Sequence, residues 1–468
     1  MNQPVHTTST LDGLSNVLTR FADGVRAAAD LVREEGGSGV AGSFEIDLAP
    51  PPVDAALEEF YEPSAMSARR LGDYREHRLV LLDLMGNPMT RTTKTIASLS
   101  MIARAVNHIR NTGERVLVLT PTSGNKGTAL RDAVGRALDL GLVSEDELRI
   151  VTALPQRSLT KARTSRLAAT AQRCRKNPIV LQRCERPDEV KSFAQAFVRD
   201  QGAEVFGRTG FRLWNSLNLD NYRVADSVRA FTEHVLLPPV AEAGQRVHAH
   251  AVSSAYGLLG YHLGRRVLEG GRYHPTDVPV GRHPQFFIVQ QLATPDMVLS
   301  LTKGSFSREN IPAYRYLPTT GLHHQETDPS FPFATHSLTE SVDPTFYTSR
   351  PATSEAFNGI VAEHGGGGIV VSLHECLTRY PLVRALLADS GVALPEDPRE
   401  VREWSLVKVF TGVMLAADRG LLPAGAEVVV HGSGFYSDLN LPPAPAPSLV
   451  HSDDAAEFGR AVWSAATA

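Results

Sequence analysis

Apolar and polar positions along this chain follow two rhythms. Between about residues 95 and 205 the apolar runs RVLVLT, LRIVTALP and PIVLQR read as strands, while NKGTALRDAVGRALDLG and SLTKARTSRLAATAQR carry the spacing of amphipathic helices. That alternation predicts an open parallel α/β sheet. A second series begins near residue 246 with RVHAHAVSS leading into AYGLLGYHLGRRVLEGG. It continues with QFFIVQQL, with GGGGIVVSL into HECLTRYPLVRALLADSG, and with AEVVVHGSG after LVKVFTGVMLAADRGLLPAG. Two α/β units with a cleft between them follow. Ahead of both, LSNVLTRFADGVRAAADLVREEG predicts an amphipathic helix, trailed by a Gly/Ser stretch and LAPPPVD, and reads as an extension or docking arm. KGSFSRENIPAYRYLPTTGLHHQETDPSFPFATHS has the Pro-rich, aromatic composition of a structured functional loop, and LPPAPAPSLVHSDD that of a Pro-rich strap.

Composition narrows the class. With 468 residues, 42% hydrophobic and 21% charged, the chain is long and apolar enough for a large core. A formal net charge of −4 offers no footprint for nucleic acid or anionic lipid. No apolar run approaches a membrane span, and MNQPVHTTSTLDGLSN lacks the pattern of a signal peptide, so a cytoplasmic protein is expected. Cys174, Cys184 and Cys376 form no CxxC pair, which argues against disulfides and a structural zinc site. No metal is expected elsewhere. His323, His324 and Glu326 are adjacent loop residues with no further ligand at useful spacing, and read as a surface or substrate-loop group. His374 and Cys376 would need an orienting third group to act as a nucleophile pair.

The chemistry concentrates in two segments. TPTSGNKG ends a strand and opens a helix, where backbone N–H groups are free and ligands of α/β sheets bind. Its glycines allow close backbone approach, and Ser123 and Asn125 can donate and accept hydrogen bonds. A nucleotide-binding P-loop is excluded, because Leu119 stands where its first glycine must be. A plain strand-to-helix corner remains the alternative. Upstream, in NPMTRTTKTIASLSMIARAVNHIRNTG, residues Ile96, Leu99, Ile102, Val106 and Ile109 recur at helical spacing. Lys94 therefore starts a helix, behind the capping-type residues Thr92 and Thr93. A helix N-terminus costs a cation about 0.3–1 kcal/mol and, with burial, favours the neutral amine that a Schiff base requires. The alternative is a solvated lysine in a first turn.

Taken together, NPMTRTTK and, one strand later, TSGN resemble the fold-type II pyridoxal 5'-phosphate (PLP) enzymes. The resemblance implies that Lys94 carries the cofactor, that Asn125 binds its ring hydroxyl, and that Thr122, Ser123, Gly124 and Gly127 line the substrate-carboxylate pocket. Lys126 and Lys161 are rival lysines, but neither follows an N-P-x-T stretch. WNSLNLDNYRVADSVRAF is similar to the N-S-I-N segment of the threonine synthase branch. The section from TESVDPTFYTSRP to SGVALPE and the segment LLPAGAEVVVHGSGFYSD also have that branch's layout, so the resemblance covers roughly residues 80 to 440.

It implies an α/β fold of two open twisted parallel-sheet domains, each a three-layer αβα unit. Residues 1–60 would be an N-terminal extension, 61–95 and 209–441 the large PLP-binding domain, 96–208 the small α/β domain, and 442–468 a C-terminal tail. A homodimer is implied as well. The chain also departs from the family. The phosphate loop is AVSSAYGLLG, in which Ser253, Ser254, Tyr256 and Gly257 would bind phosphate through hydroxyls and helix N–H groups. Thr95-Ile96 replaces the frequent Asp-Arg, and Glu403 and Ser405 in REWSLVKVF, or ALPE, are the candidates for a missing Glu-Pro-Ser. EHGGGG reads as a turn. Ser433 in HGSGF would face the pyridine nitrogen, unless this is an empty Gly-Ser-Gly turn, and a hydroxyl there favours elimination or replacement. The implied activity is a lyase or transferase acting on a small amino acid, an O-activated serine or homoserine, by β- or γ-elimination or replacement. A serine/threonine dehydratase-like ammonia lyase is the alternative, and a non-catalytic PLP-binding or regulatory protein is the alternative of another class.

Overall fold

The computed structural model describes residues 10–37, 44–240 and 244–468; most of the Gly/Ser stretch lies outside them. The strands in chain order are β1 (Thr10–Leu14), β2 (Met66–Tyr74), β3 (His77–Asp83), β4 (Arg115–Pro121), β5 (Leu148–Pro155), β6 (Ile179–Gln182), β7 (Phe211–Asn215) and β8 (Arg246–Ala251). They continue as β9 (Gln285–Gln291), β10 (Arg315–Leu317), β11 (Leu322–His324), β12 (Ala334–Thr335), β13 (Gly366–Val371), β14 (Glu427–Gly432) and β15 (Leu449–Ser452). Seven form one sheet in the order β1-β2-β3-β14-β8-β9-β13, and five form a second in the order β15-β6-β5-β4-β7. The second sheet is parallel throughout. In the first, the β1–β2 and β2–β3 pairs are antiparallel and the other pairs are parallel.

Strands buried on both faces explain the near-continuous apolar runs in the sequence. Successive residues point to opposite sides of a strand, so Val80, Leu82, Phe286 and Ile288 pack in one layer while Leu79, Leu81, Phe287 and Val289 pack in another. In β4, Val116 and Val118 join the first of these layers, and Leu117 and Leu119 face a third. One apolar layer is thus shared between the two sheets. This is the α/β architecture of paired open sheets that the sequence pattern predicts.

The chain ends depart from the linear reading. The segment expected as an arm puts β1 on the edge of the seven-stranded sheet, and helix Ala22–Glu34 buries Val25, Ala28, Ala29 and Val32 in the shared layer. The segment expected as a tail adds β15 beside β6, and helix Ala455–Thr467 buries Phe458, Ala461, Val462, Ala465 and Ala466. Their helical spacing is an amphipathic stripe that the neighbouring prolines obscured. Phe211–Asn215 also pairs with β4, in the five-stranded sheet. In EHGGGG, where a turn was expected, the corner ends at Gly365 and the glycines from Gly366 onward already belong to β13, against β9. The Pro-rich loop folds as a three-stranded antiparallel sheet, β10-β11-β12. No helix among the described residues is long and apolar enough to cross a membrane.

Candidate active site

Four strands deliver their carboxyl ends to one cleft. β3 leads to Lys94, β4 to the Ser123 turn, β8 to Ser253–Gly257 and β14 to Ser433. Lys94, Thr122, Ser123, Asn125, Ser253, Ser254, Tyr256, Gly257 and Ser433 all line it. Gly124 and Gly127 do not: they sit behind the wall, where backbones and side chains pack too closely for a larger residue. A Cβ on Gly124, whose φ is 146°, would lie 2.5 Å from Lys161 Cβ.

Lys94 is the first residue of helix Lys94–Thr112, and its N–H donates to Thr92 Oγ1 at 3.3 Å. The loop before it is tied to the β14 turn, since Thr93 N donates to the Ser433 carbonyl at 2.9 Å and Phe435 N to the Arg91 carbonyl at 3.2 Å. Burial lowers the Lys94 amine below the ordinary lysine range; Asp226 opposes this and Arg229 adds to it. Ser433 Oγ is buried and has no hydrogen-bond partner in the protein. A buried hydroxyl left without a partner costs free energy, and one at a cleft wall is available to a ligand.

Asn125 opens helix Asn125–Asp139, and its amide is held on both sides. Nδ2 donates to Glu403 Oε2 at 2.7 Å, and the Tyr436 hydroxyl donates to Oδ1 at 2.9 Å. An amide nitrogen has two hydrogens, so one can still point into the cleft. Thr122 Oγ1 shapes the turn by accepting from Gly124 N at 3.0 Å and Gly127 N at 3.2 Å. At the third corner Ser253 Oγ donates to Thr348 Oγ1 at 3.0 Å, and Thr353 Oγ1 donates to the Ser254 carbonyl at 2.8 Å. Helix Tyr256–Glu269 starts here, presenting the positive end of its dipole to the cleft.

Several cleft residues escape sequence reasoning. Arg229 is almost fully buried within helix Val228–Leu236. It is held by Asp226 at 2.8 Å and donates to Thr93 Oγ1 at 2.6 Å. A Cβ on Gly257 would lie 2.4 Å from the Arg229 guanidinium, so only glycine lets that cation reach the start of the helix. Lys126 and Lys191 line the same cleft. Burial, Lys191 and Lys94 push the Lys126 amine well down, with no carboxylate among the causes. His250 forms part of the floor, its ring tilted 30° against that of His431 at 3.7 Å between centroids; burial pushes both imidazoles well down.

Behind the Asn125 wall lies a buried ionic group. Lys161 Nζ donates to Asp343 Oδ2 at 2.8 Å, to Glu403 Oε2 at 3.0 Å and to the Arg402 carbonyl. Glu403, a candidate for ring contact, thus reaches the cleft through Asn125, and Ser405 donates to its other oxygen. Lys408 lies beside this group, its Nζ buried over the Phe346 ring without a hydrogen-bond partner. Burial, offset in part by Asp343 and Glu403, lowers its amine to about 7. A lysine depressed in the folded state binds fewer protons than the unfolded chain between that value and about 10.4, so stability rises with pH across the window. The expected outcome is a positive slope of unfolding free energy from pH 7 to 10 in urea titrations, reduced by roughly 1 kcal/mol per pH unit in Lys408→Met. An unchanged slope would refute the assignment.

His323 and His324 lie on β11, away from the histidine groups that could hold an ion. Cys376 is buried and its thiol is pushed up to about 12 by burial, which removes it as a nucleophile.

A family model described as a family of unknown function, DUF6002, matches residues 13–466. No curated protein matches the sequence. Among solved structures, threonine synthase from Escherichia coli is 14% identical with a TM-score of 0.53, covering 95% of this chain and 89% of that one. PLP-bound threonine synthase from Brucella melitensis is 13% identical, with a TM-score of 0.46 and the same coverages of 95% and 89%. A fungal L-serine ammonia-lyase from Rhizomucor miehei is 12% identical, with a TM-score of 0.45, covering 83% of this chain and 94% of that one. The likeness to the first establishes the fold, that of the fold-type II PLP enzymes in a divergent sequence.

Proposed function

We propose that this chain, which belongs to the DUF6002 family of unknown function, is a PLP-dependent enzyme that eliminates or replaces an anionic leaving group, such as phosphate, on a small amino acid. The observation that carries this reading is the convergence of Lys94, Asn125, the unpartnered Ser433 hydroxyl and the start of helix Tyr256–Glu269 on one cleft. These groups fit the cofactor chemically: an amine lowered by burial, an amide donor, a hydroxyl at the far wall, and a helix N-terminus beside Arg229 for the phosphate. The seven-stranded sheet would hold the cofactor, and the five-stranded sheet, through the Ser123 turn, the substrate carboxylate.

PLP, when bound, supplies an electron sink for the bond broken at the substrate Cα. The protein supplies the rest. Lys94, whose amine burial lowers below the ordinary lysine range, accepts the Cα proton once free. Asn125, braced by Glu403 and Tyr436, would hold the cofactor's ring hydroxyl through its second Nδ2 hydrogen. Ser433 offers a hydroxyl rather than a carboxylate to the ring nitrogen, which suits elimination and replacement. Among the described residues Lys126 and Lys191 donate no hydrogen bond to a carboxylate, and they would hold the departing anion.

Purified protein incubated with PLP should turn yellow, and of O-phosphohomoserine, O-phosphoserine, O-acetylserine, serine and threonine the phosphorylated amino acids should perturb the absorption most. In Lys126→Met and Lys191→Met, KM for the phosphorylated substrate should rise roughly 10–100-fold, because a bound phosphate opposes the burial that lowers these amines and so gains a charge-assisted hydrogen bond from each, while KM for unphosphorylated substrates moves little. Turnover of serine or threonine alone would favour the ammonia-lyase reading. A colourless protein indifferent to PLP would defeat both.

A further inference from the structure

At the opposite end of the seven-stranded sheet, where β9 and β13 begin, three histidines from separate segments meet. His262 lies in helix Tyr256–Glu269, His283 in the loop entering β9, and His364 at the end of helix Ser354–His364, just before β13. The geometry points to a site for a divalent transition metal ion, Zn²⁺ by ligand type, held by His262, His283 and His364.

One ligand-capable nitrogen from each of the three lies within 4.8 Å of the others. His262 Nδ1 and His283 Nε2 are 3.3 Å apart, and two tetrahedral ligands at about 2.0–2.1 Å from zinc stand about 3.3 Å apart. The His283 and His364 rings stack at 3.7 Å and 17°, so the in-plane lone pairs run side by side, and the His364 ring, at a helix end, must turn for both to meet one ion. The outer nitrogen of His283 is already committed: Nδ1 sits 2.8 Å and 3.1 Å from the two oxygens of Glu269. A carboxylate there keeps the proton on Nδ1 and turns the Nε2 lone pair inward, the arrangement in which metal-binding histidines are held. Arg265, which lines the same cavity, is paired with the same carboxylate at 2.8 Å and with the Gly281 carbonyl at 2.6 Å. His283 and His364 line an open cavity, so water can complete the coordination. The other histidine group, His248, His250 and His431, lacks this shape: His248 Nδ1 and His431 Nε2 are 2.7 Å apart, a hydrogen bond and too close for two ligands of one ion.

The experiment uses the full chain, stripped with EDTA and titrated with Zn²⁺ by calorimetry and with Co²⁺ by visible absorption. About one equivalent of Zn²⁺ should bind, Co²⁺ should give the intense bands of a four-coordinate site, and the thermal unfolding midpoint should rise with Zn²⁺. His283→Ala and His364→Ala should each weaken binding at least about 10-fold, and Glu269→Gln roughly 10–100-fold. His364 is a helix-terminal residue whose side chain is 17% exposed, so its variant remains a test if His283→Ala fails to fold. Binding that is equally weak in wild type and His364→Ala overturns the site, as does binding lost in His431→Ala but kept in His364→Ala.

Discussion

Lys94→Ala should give a folded protein that no longer forms the yellow complex with PLP and whose turnover falls by roughly 10²–10⁴-fold or more, the range lost with a general base. Three features of its position make this the largest expected effect on activity. It begins a helix, where the dipole disfavours a cation, and it lies recessed in a cleft where burial lowers its amine further. Arg229 nearby acts in the same direction. The competing candidate is Lys126, also in the cleft and shifted further down. Absorption spectra of the two variants with added PLP separate them. Lys94→Ala should lose the band and Lys126→Met should keep it, and the reverse result would transfer the role to Lys126. The variant should stay folded, because among the described residues Asp226 and Glu403 act on Lys94 only through space, with no hydrogen bond that its removal would orphan.

What could be read in the sequence was what is local. Lys94 follows from apolar spacing over one helix, and the Ser123 turn from an apolar run that stops at a proline and resumes with helical period. The cleft itself was legible as the meeting of strand ends, since α/β sheets bind ligands there. Arg229 was not, because a charged residue in VRAFTEHVL looks like the solvated face of an amphipathic helix until packing shows it buried. The bracing of Asn125 was hidden for another reason. Glu403 is 278 residues away and Tyr436 is 311, and no local pattern encodes contacts across that distance. The same holds for β15, which joins β6 only after the chain has built the other sheet. Short-range pattern yields the elements; the pairing of distant elements decides which polar residues end up sharing a site.

Lys161→Met is expected to destabilise the protein by about 3–5 kcal/mol at pH 7, the usual effect of removing one member of a buried ion group. Its side chain is 1% exposed and those of Asp343 and Glu403 are 0% exposed, so the two carboxylates left behind have no access to water. Burial pushes the Asp343 carboxyl up, but Lys161 and Lys408 outweigh it and hold it below the ordinary carboxylate range. Burial likewise pushes the Lys161 amine down, and Asp343 and Glu403 outweigh it and hold it above the ordinary lysine value. The signs set the pH window. A depressed carboxylate contributes stability above its unfolded pKa of about 3.9, lost as pH falls further; a raised lysine contributes below about 10.4, lost as pH rises further. The difference between wild type and variant should therefore narrow in acid, where the variant's orphaned carboxylates take up protons, and should change through neutral pH as Lys408, freed of Lys161, takes up its proton beside them. Urea denaturation from acid through neutral pH measures it, and Asp343→Asn added to Lys161→Met should recover part of the loss. Glu403 Oε2 binds both Lys161 and Asn125, so the variant should also weaken PLP affinity, although Lys161 is not among the residues lining the cleft. Loss of stability with PLP affinity intact would show that Asn125 is held by Tyr436 alone, and a loss below about 1 kcal/mol would mean that the ionic group is not closed to water.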